Sequence, residues 1–161
     1  MRIPLPGKWH KRQGAATGRP AGAPQAQAPT AGPRPVAALL EDDPQVAVEL
    51  FGECELLRSE AAEAGVELDD SAESLSALDQ LLPRWRADPE VLTWLGNDAG
   101  LYLGTVLVRT VPGAVWRIGT DGFPVVSLSS GRQLRVVEDG RDWAETGAPE
   151  LSQVYGEVSE P

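Results

Sequence analysis

Apolar side chains recur every third or fourth residue between Asp43 and Gly65, which is the spacing of one face of a helix. They are Ala47, Leu50, Phe51, Cys54, Leu57, Ala61 and Ala64. Asp43 suits an N-cap, Pro44 suits the first helical position and Gly65 suits the C-terminal stop. The pattern predicts a single helix across this stretch, in which Gly52 costs about 1 kcal/mol.

Three further helices are expected before residue 111, separated by proline and glycine. Residues 71–82 carry a leucine stripe at helical spacing, and Pro83 ends that helix because proline removes a backbone donor. Residues 89–95 form a short helix that Gly96 interrupts, and a fourth helix covers 97–110. Helices therefore fill the first half of the ordered chain.

Three glycines, Gly96, Gly100 and Gly104, recur every four residues in this last stretch. On a helix they lie near one face and allow another backbone to approach closely. In a membrane this spacing favours helix dimerisation. Since no membrane span is expected, the glycines predict close packing of the fourth helix inside the domain.

After residue 113 the apolar pattern changes from helical to alternating. Residues 114–118, 123–128 and 133–138 read as three strands separated by glycine-containing turns. Residues 149–158 carry apolar side chains on one helical face. The order predicts an α+β fold: N-terminal helices, then a three-stranded antiparallel β-meander, then a C-terminal helix. Without strand–helix–strand alternation, a doubly wound nucleotide-binding fold is not expected.

Charge divides the chain near residue 35. Residues 1–35 hold six basic side chains and no acidic one, and residues 36–161 hold eight basic and twenty-four acidic side chains. The segment 14–35 is mostly Ala, Gly, Pro and Gln, which bury too little to offset the entropy cost of ordering. We therefore expect a disordered basic arm and linker over 1–35. A single α+β domain follows over 36–161, too acidic to bind nucleic acid.

The arm concentrates cations around one aromatic ring, at Lys8, Trp9, Lys11 and Arg12. Such a cluster can rest on an anionic membrane, at about 1 kcal/mol per cation. It can also touch nucleic acid or fold back on the acidic domain, but the favoured interpretation is a solvated tail. Neither a signal peptide nor a transmembrane span is expected, so the sequence predicts a cytoplasmic protein.

The residue types and motifs that usually indicate catalysis or metal binding are scarce in this chain. One cysteine, Cys54, and one histidine, His10, exclude an internal disulfide and a structural zinc site. Cys54 lies among helical apolar positions and is expected to pack as a small hydrophobe. The chain has no P-loop, dinucleotide-binding glycine motif or serine nucleophile motif, and neither a metal nor another cofactor is expected. A hydrolase built on two carboxylates stays open, because the many acids offer many pairs.

Tryptophans provide the candidate binding residues, since Trp and Arg are frequent at interface hot spots. Trp94 is followed by Asn97 and Asp98 at the expected helix junction, which would expose an aromatic face and free N–H groups together. Trp116 and Arg117 form a second candidate, provided that their strand lies at the sheet edge. Packing in the core is the alternative for each tryptophan.

Four runs of sequence resemble a family of uncharacterised actinobacterial proteins that is catalogued only as a domain of unknown function. They cover residues 64–85, 94–118, 122–138 and 149–155, and the segment from GLYLG to Trp116 is the most specific part. The resemblance implies a fold and a source. It implies no activity, ligand or catalytic residue.

These features favour a non-catalytic protein-interaction module with an acidic surface, a monomer or weak homodimer whose protein partner is unknown. One alternative is an enzyme of unrecognised type, which requires a concave pocket lined by polar groups. The other is a membrane-peripheral protein attached through the arm. A large exposed apolar patch would favour the interaction module.

Overall fold

The computed structural model describes residue 38 and residues 42–160, so the predicted arm and linker lie outside the described residues. Six helices and three strands follow one another within residues 42–160. They are α1 (Pro44–Phe51), α2 (Glu55–Glu63), α3 (Ala72–Trp85), α4 (Pro89–Thr110), β1 (Val115–Ile118), β2 (Pro124–Ser127), β3 (Gln133–Leu134), α5 (Val136–Thr146) and α6 (Leu151–Ser159).

The sheet has the predicted meander topology. β1 pairs with β2 and β2 pairs with β3, both antiparallel, so β1 and β3 form the edges. Trp116 lies opposite Val126, and Val126 lies opposite Leu134. At the two turns, Gly122 and Gly131 have φ angles of +86° and +91°, which glycine adopts without strain. The predicted α+β order, with helices before the meander and a helix at the C-terminal end, is confirmed.

The first predicted helix is in fact two helices, because the chain turns sharply between α1 and α2. Cys54 at the turn has a φ of 39°, in the left-handed region. Asp98 of α4 accepts a hydrogen bond from the backbone N–H of Leu57 (3.1 Å) and so caps α2 from a distant segment. Arg58 donates to the carbonyl oxygen of Gly52 (2.8 Å) and holds the turn. The prediction of one helix is therefore wrong. It failed because the apolar spacing continues across the turn and gives no sign of it.

Both α3 and α4 run past residues that favour a helix end. α3 continues beyond Pro83 to Trp85, because the side chains of Leu82 and Trp85 are both buried in the core. α4 continues through Gly96, whose missing side chain leaves room for α5. A Cβ on Gly96 would lie 3.1 Å from the Cβ of Ala144. The predicted stop at Pro83 and the predicted break at Gly96 are therefore wrong.

α5 is the element that the sequence pattern does not predict. The chain turns helical at Val136, so the third strand predicted over 133–138 is wrong beyond its first two residues. Gly140 in the middle of α5 lies against Gly100 of α4, because a Cβ on Gly140 would lie 2.6 Å from the Cα of Gly100. The close packing predicted for the glycines of α4 is confirmed by this approach.

α4 passes through the core, and most of the other elements pack against it. Its buried face carries Leu95, Ala99, Tyr102, Leu103 and Val106, each with 0% of its surface exposed. α4 is long and apolar enough to cross a membrane, and 56% of its most apolar window is buried inside the domain, as in the core helix of a globular fold. Helices α1, α2, α3, α5 and α6 and strands β1 and β2 all contact it. α4 therefore sets the positions of α2 and α5, which flank the candidate site.

Candidate functional site

The tryptophans of the described chain divide into three buried residues and one exposed residue. Trp85, Trp116 and Trp143 are at most 8% exposed and belong to the core. Trp94 is 66% exposed, more than any other large apolar side chain in residues 42–160. Its indole therefore faces solvent from a helix that is otherwise central to the core.

Acidic side chains share the face of α4 that carries Trp94. Glu90 precedes it by four residues and Asp98 follows it by four, so the three share one face of α4. The backbone N–H of Leu57 donates to the carboxylate of Asp98, which places the start of α2 beside that face. Glu55 and Leu56, both exposed, occupy that start. We call Glu55, Leu56, Glu90 and Trp94 the Trp94 surface.

The segment that contributes α1 and α2 carries a concentrated negative charge. Residues 42–73 hold eleven acidic side chains and one basic side chain, Arg58, whereas residues 74–160 hold twelve acidic and seven basic ones. Arg58 is engaged, because it donates to Asp70 (2.7 Å) and to the carbonyl oxygen of Leu68 (2.9 Å). The Trp94 surface therefore adjoins the most acidic part of the described chain.

Asn97 and Asp98 do not lie at a helix junction, because α4 is continuous there. The carboxylate of Asp98 is occupied by the backbone N–H of Leu57. The side-chain oxygen of Asn97 accepts a hydrogen bond from Nε of Arg141 (2.7 Å). The expected free N–H groups are therefore not offered at this position, and both side chains hold neighbouring elements in place.

Trp116 and Arg117 lie elsewhere in the domain. Trp116 is 5% exposed and packs edge-on against Phe51, with ring centroids 4.9 Å apart, while its ring tip lies over Gly104. Gly104 is ten residues from Trp94, about 15 Å along α4. Arg117 is exposed on β1, which is an edge strand as the second candidate required. The structure thus separates this pair from Trp94 and places Trp116 in the core.

A groove of about 590 Å³ opens between the first turns of α4 and the second half of α5. Apolar and polar side chains share its wall. The lining residues are Pro89, Leu92, Thr93, Gly96, Asn97, Arg141, Ala144 and Glu145. A smaller cavity of about 230 Å³ lies between β2 and α5, and Arg141 lines both. Sequence reasoning missed Arg141, because its position depends on contacts with residues distant along the chain.

Four described side chains have clearly shifted pKa values. Burial raises the pKa of Tyr102 and of Asp139, and a hydrogen bond from Ser71 lowers the pKa of Asp69. Burial, with nearby Asp98, raises the pKa of the Cys54 thiol to about 12. None of the four lines the groove or belongs to the Trp94 surface. Within residues 42–160, no group of three or more His, Cys, Asp or Glu side chains is arranged to hold a metal ion.

The Cys54 thiol is expected to resist alkylation in the folded protein. It is 5% exposed and donates to the carbonyl oxygen of Phe51 (3.3 Å), which confirms its expected packing as a small hydrophobe. With a pKa near 12, little reactive thiolate forms at pH 8. Labelling with iodoacetamide, followed by mass spectrometry, should proceed only through unfolding, and urea-unfolded protein should label at the rate of a free cysteine. Equal rates in both states would contradict this assignment.

The fold and site define a small α+β domain with one exposed tryptophan surface and one helix-bounded groove. Over residues 1–161 the chain matches the model of a family of unknown function, DUF6278, and it belongs to that family. No curated protein and no solved structure matches the chain.

Proposed function

We propose that this protein is a non-catalytic interaction module that binds a protein partner through the Trp94 surface, and that the partner contributes a basic segment. The observation that carries the proposal is the 66% exposure of Trp94. Exposing an indole to water is unfavourable, whereas tryptophan in a protein interface is a frequent hot spot.

Charge identifies the chemistry of the partner. Glu90 shares the face of α4 that carries Trp94, and Glu55 stands at the start of α2, which Asp98 ties to that face. Residues 42–73 add a strong negative field with a single, engaged cation. Attraction to that negative charge speeds the association of a basic segment, and its Lys or Arg side chains can stack on the indole. An acidic segment would be repelled.

The rigidity of the anchor supports affinity. Trp94 stands on α4, which is packed on most sides, and Asp98 ties α4 to α2 one turn further on. A surface held in place before binding loses little conformational entropy on association. The backbone that carries Trp94 is therefore held in place before a partner binds.

The test uses the full chain with an affinity tag to purify partners from the source cells, followed by binding measurements with each purified partner. Trp94→Ala should weaken binding at least about tenfold, as expected for a hot-spot residue. The double variant Glu55→Gln/Glu90→Gln should slow association and reduce its salt dependence. Val115→Ala, which trims a side chain 38% exposed on β1, is the matched control and should bind as the parent does.

Two results would overturn the proposal. One is recovery of no protein whose binding depends on Trp94. The other is a partner whose contacting segment, mapped by cross-linking, lacks Lys and Arg.

The groove is the feature that an enzyme would need, yet its chemistry does not support catalysis. Glu145 is the carboxylate of its lining, and the hydroxyl of Thr93 already donates to the carbonyl oxygen of Pro89 (3.1 Å). The lining thus brings together no acid and base of the kind that general acid–base catalysis uses. We also propose a cytoplasmic protein of actinobacterial origin, monomeric or weakly dimeric, on the sequence features alone.

A further inference from the structure

We propose that the groove between α4 and α5 binds a small monocarboxylate with an apolar body, and that Arg141 anchors the carboxylate. This site is distinct from the Trp94 surface, and the inference does not rest on the proposed function. The groove volume of about 590 Å³ falls within the range of small-molecule sites.

Arg141 is exposed, and two contacts orient its guanidinium. Its Nε atom donates to the side-chain oxygen of Asn97 (2.7 Å), and its guanidinium lies 5.0 Å from the centroid of the Phe123 ring. Contacts on two sides restrict a side chain that is otherwise flexible. Its Nη1 and Nη2 atoms have no partner within the described residues, so the guanidinium retains donors for a carboxylate.

No neighbouring acid within residues 42–160 forms an ion pair with Arg141. Glu138 and Glu145 stand three residues before it and four residues after it, at the spacings of helical ion pairs. Glu138 is paired with Arg135 (3.2 Å), and no ion pair of Arg141 occurs among the described residues. The guanidinium is oriented toward Asn97 and Phe123 and is not engaged in an ion pair within the described residues.

The groove lining sets the rest of the ligand. Pro89, Leu92 and Ala144 provide apolar wall, which suits a hydrocarbon or aromatic body. Glu145 adds one negative charge to the same lining and disfavours a ligand with a second anionic group. The combination selects one carboxylate on an apolar body.

The proposal is tested by two-dimensional NMR titration of the full chain with octanoate and with octanamide, which differ only in the charged end. Octanoate should give saturable chemical-shift changes at Gly96, Asn97 and Ala144. Octanamide should bind at least about tenfold more weakly. Arg141→Gln should remove that preference for octanoate. Arg141→Lys should keep only part of it, because lysine lacks the planar fork.

Arg132→Gln is the matched control, because Arg132 is an exposed arginine outside the groove lining, and it should bind octanoate as the parent does. Thermal unfolding of each variant confirms that it is folded. Equal binding of octanoate and octanamide would overturn the proposal, and so would unchanged octanoate binding by Arg141→Gln. Lack of saturable shifts up to millimolar octanoate would also overturn it. Failure here leaves the Trp94 test unaffected, since Trp94 does not line the groove.

Discussion

Replacing Gly100 by alanine is expected to lower the free energy of unfolding by about 3 kcal/mol, the upper end for overpacking. A Cβ at this position would collide with the backbone of α5, lying 2.7 Å from the Cα of Val137 and closer still to the carbonyl oxygen of Val136. Backbone atoms cannot rotate away as a side chain does, so α4 and α5 must move apart. Urea unfolding followed by circular dichroism measures the loss.

Gly156→Ala is the matched control for that substitution. Gly156 lies inside α6, and nothing lies within 4 Å of the position that a Cβ would take, so alanine meets open space there. The better helix propensity of alanine should raise stability by about 0.5–1 kcal/mol. Equal effects of the two substitutions would show that the close approach of α4 and α5 does not exist.

Replacing Asp79 by alanine is expected to cost a similar amount, about 3 kcal/mol, because several donors lose their acceptor at once. The Asp79 carboxylate accepts from Nε1 of buried Trp143 (2.8 Å) and from the backbone N–H groups of Leu151 (2.9 Å) and Ser152 (3.0 Å). It also accepts from the hydroxyl of Ser152 (2.6 Å). Asp79 of α3 thus caps α6 and accepts the hydrogen bond of the buried Trp143 indole in α5.

An ordinary N-cap gives the comparison for Asp79. Asp88 accepts from the backbone N–H groups of Glu90 (3.1 Å) and Val91 (3.3 Å) at the exposed start of α4. Asp88→Ala should cost about 1 kcal/mol, which is typical for loss of a cap. If urea unfolding finds Asp79→Ala no more costly than Asp88→Ala, the role assigned to Asp79 is incorrect.

The sequence predicts those parts of the fold that local chemistry decides. The N-cap Asp43 starts its helix as expected, since its side chain accepts from the backbone N–H of Gln45, two residues later. Ser71 caps α3 in the same local way, by accepting from the backbone N–H of Ser74. The meander follows from alternating apolar residues and from glycines that permit tight turns, such as Gly122 and Gly131. These signals lie within a few residues of the element that they specify.

Long-range contacts decide the parts that the sequence does not predict. The turn between α1 and α2 depends on Asp98, which is 41 residues from Leu57. Gly96 reads as a helix breaker in the sequence, but it lies with Gly140 in the contact between two continuous helices. A glycine has the same local signature in both roles, so only the packing partner distinguishes them.

The candidate site also combines features that the local sequence indicates with features that depend on long-range contacts. Trp94 is identifiable from composition and hot-spot frequencies, but its exposure depends on which face of α4 enters the core. Arg141 carries no sequence motif, and its contact with Asn97 spans 44 residues. The groove that Arg141 lines exists only because α5 is a helix. The alternating apolar pattern over residues 133–138 predicts a strand there instead.

The central claim is that the Trp94 surface contacts a protein with a basic segment, and site-specific photo-crosslinking in the source cells tests it most directly. A photoreactive amino acid at position 94 is compared with the same group at position 153, where Gln153 is exposed on α6. Position 94 should capture one partner protein through a peptide containing Lys or Arg, and position 153 should not. Identical products from both positions, or none from position 94, would contradict the claim.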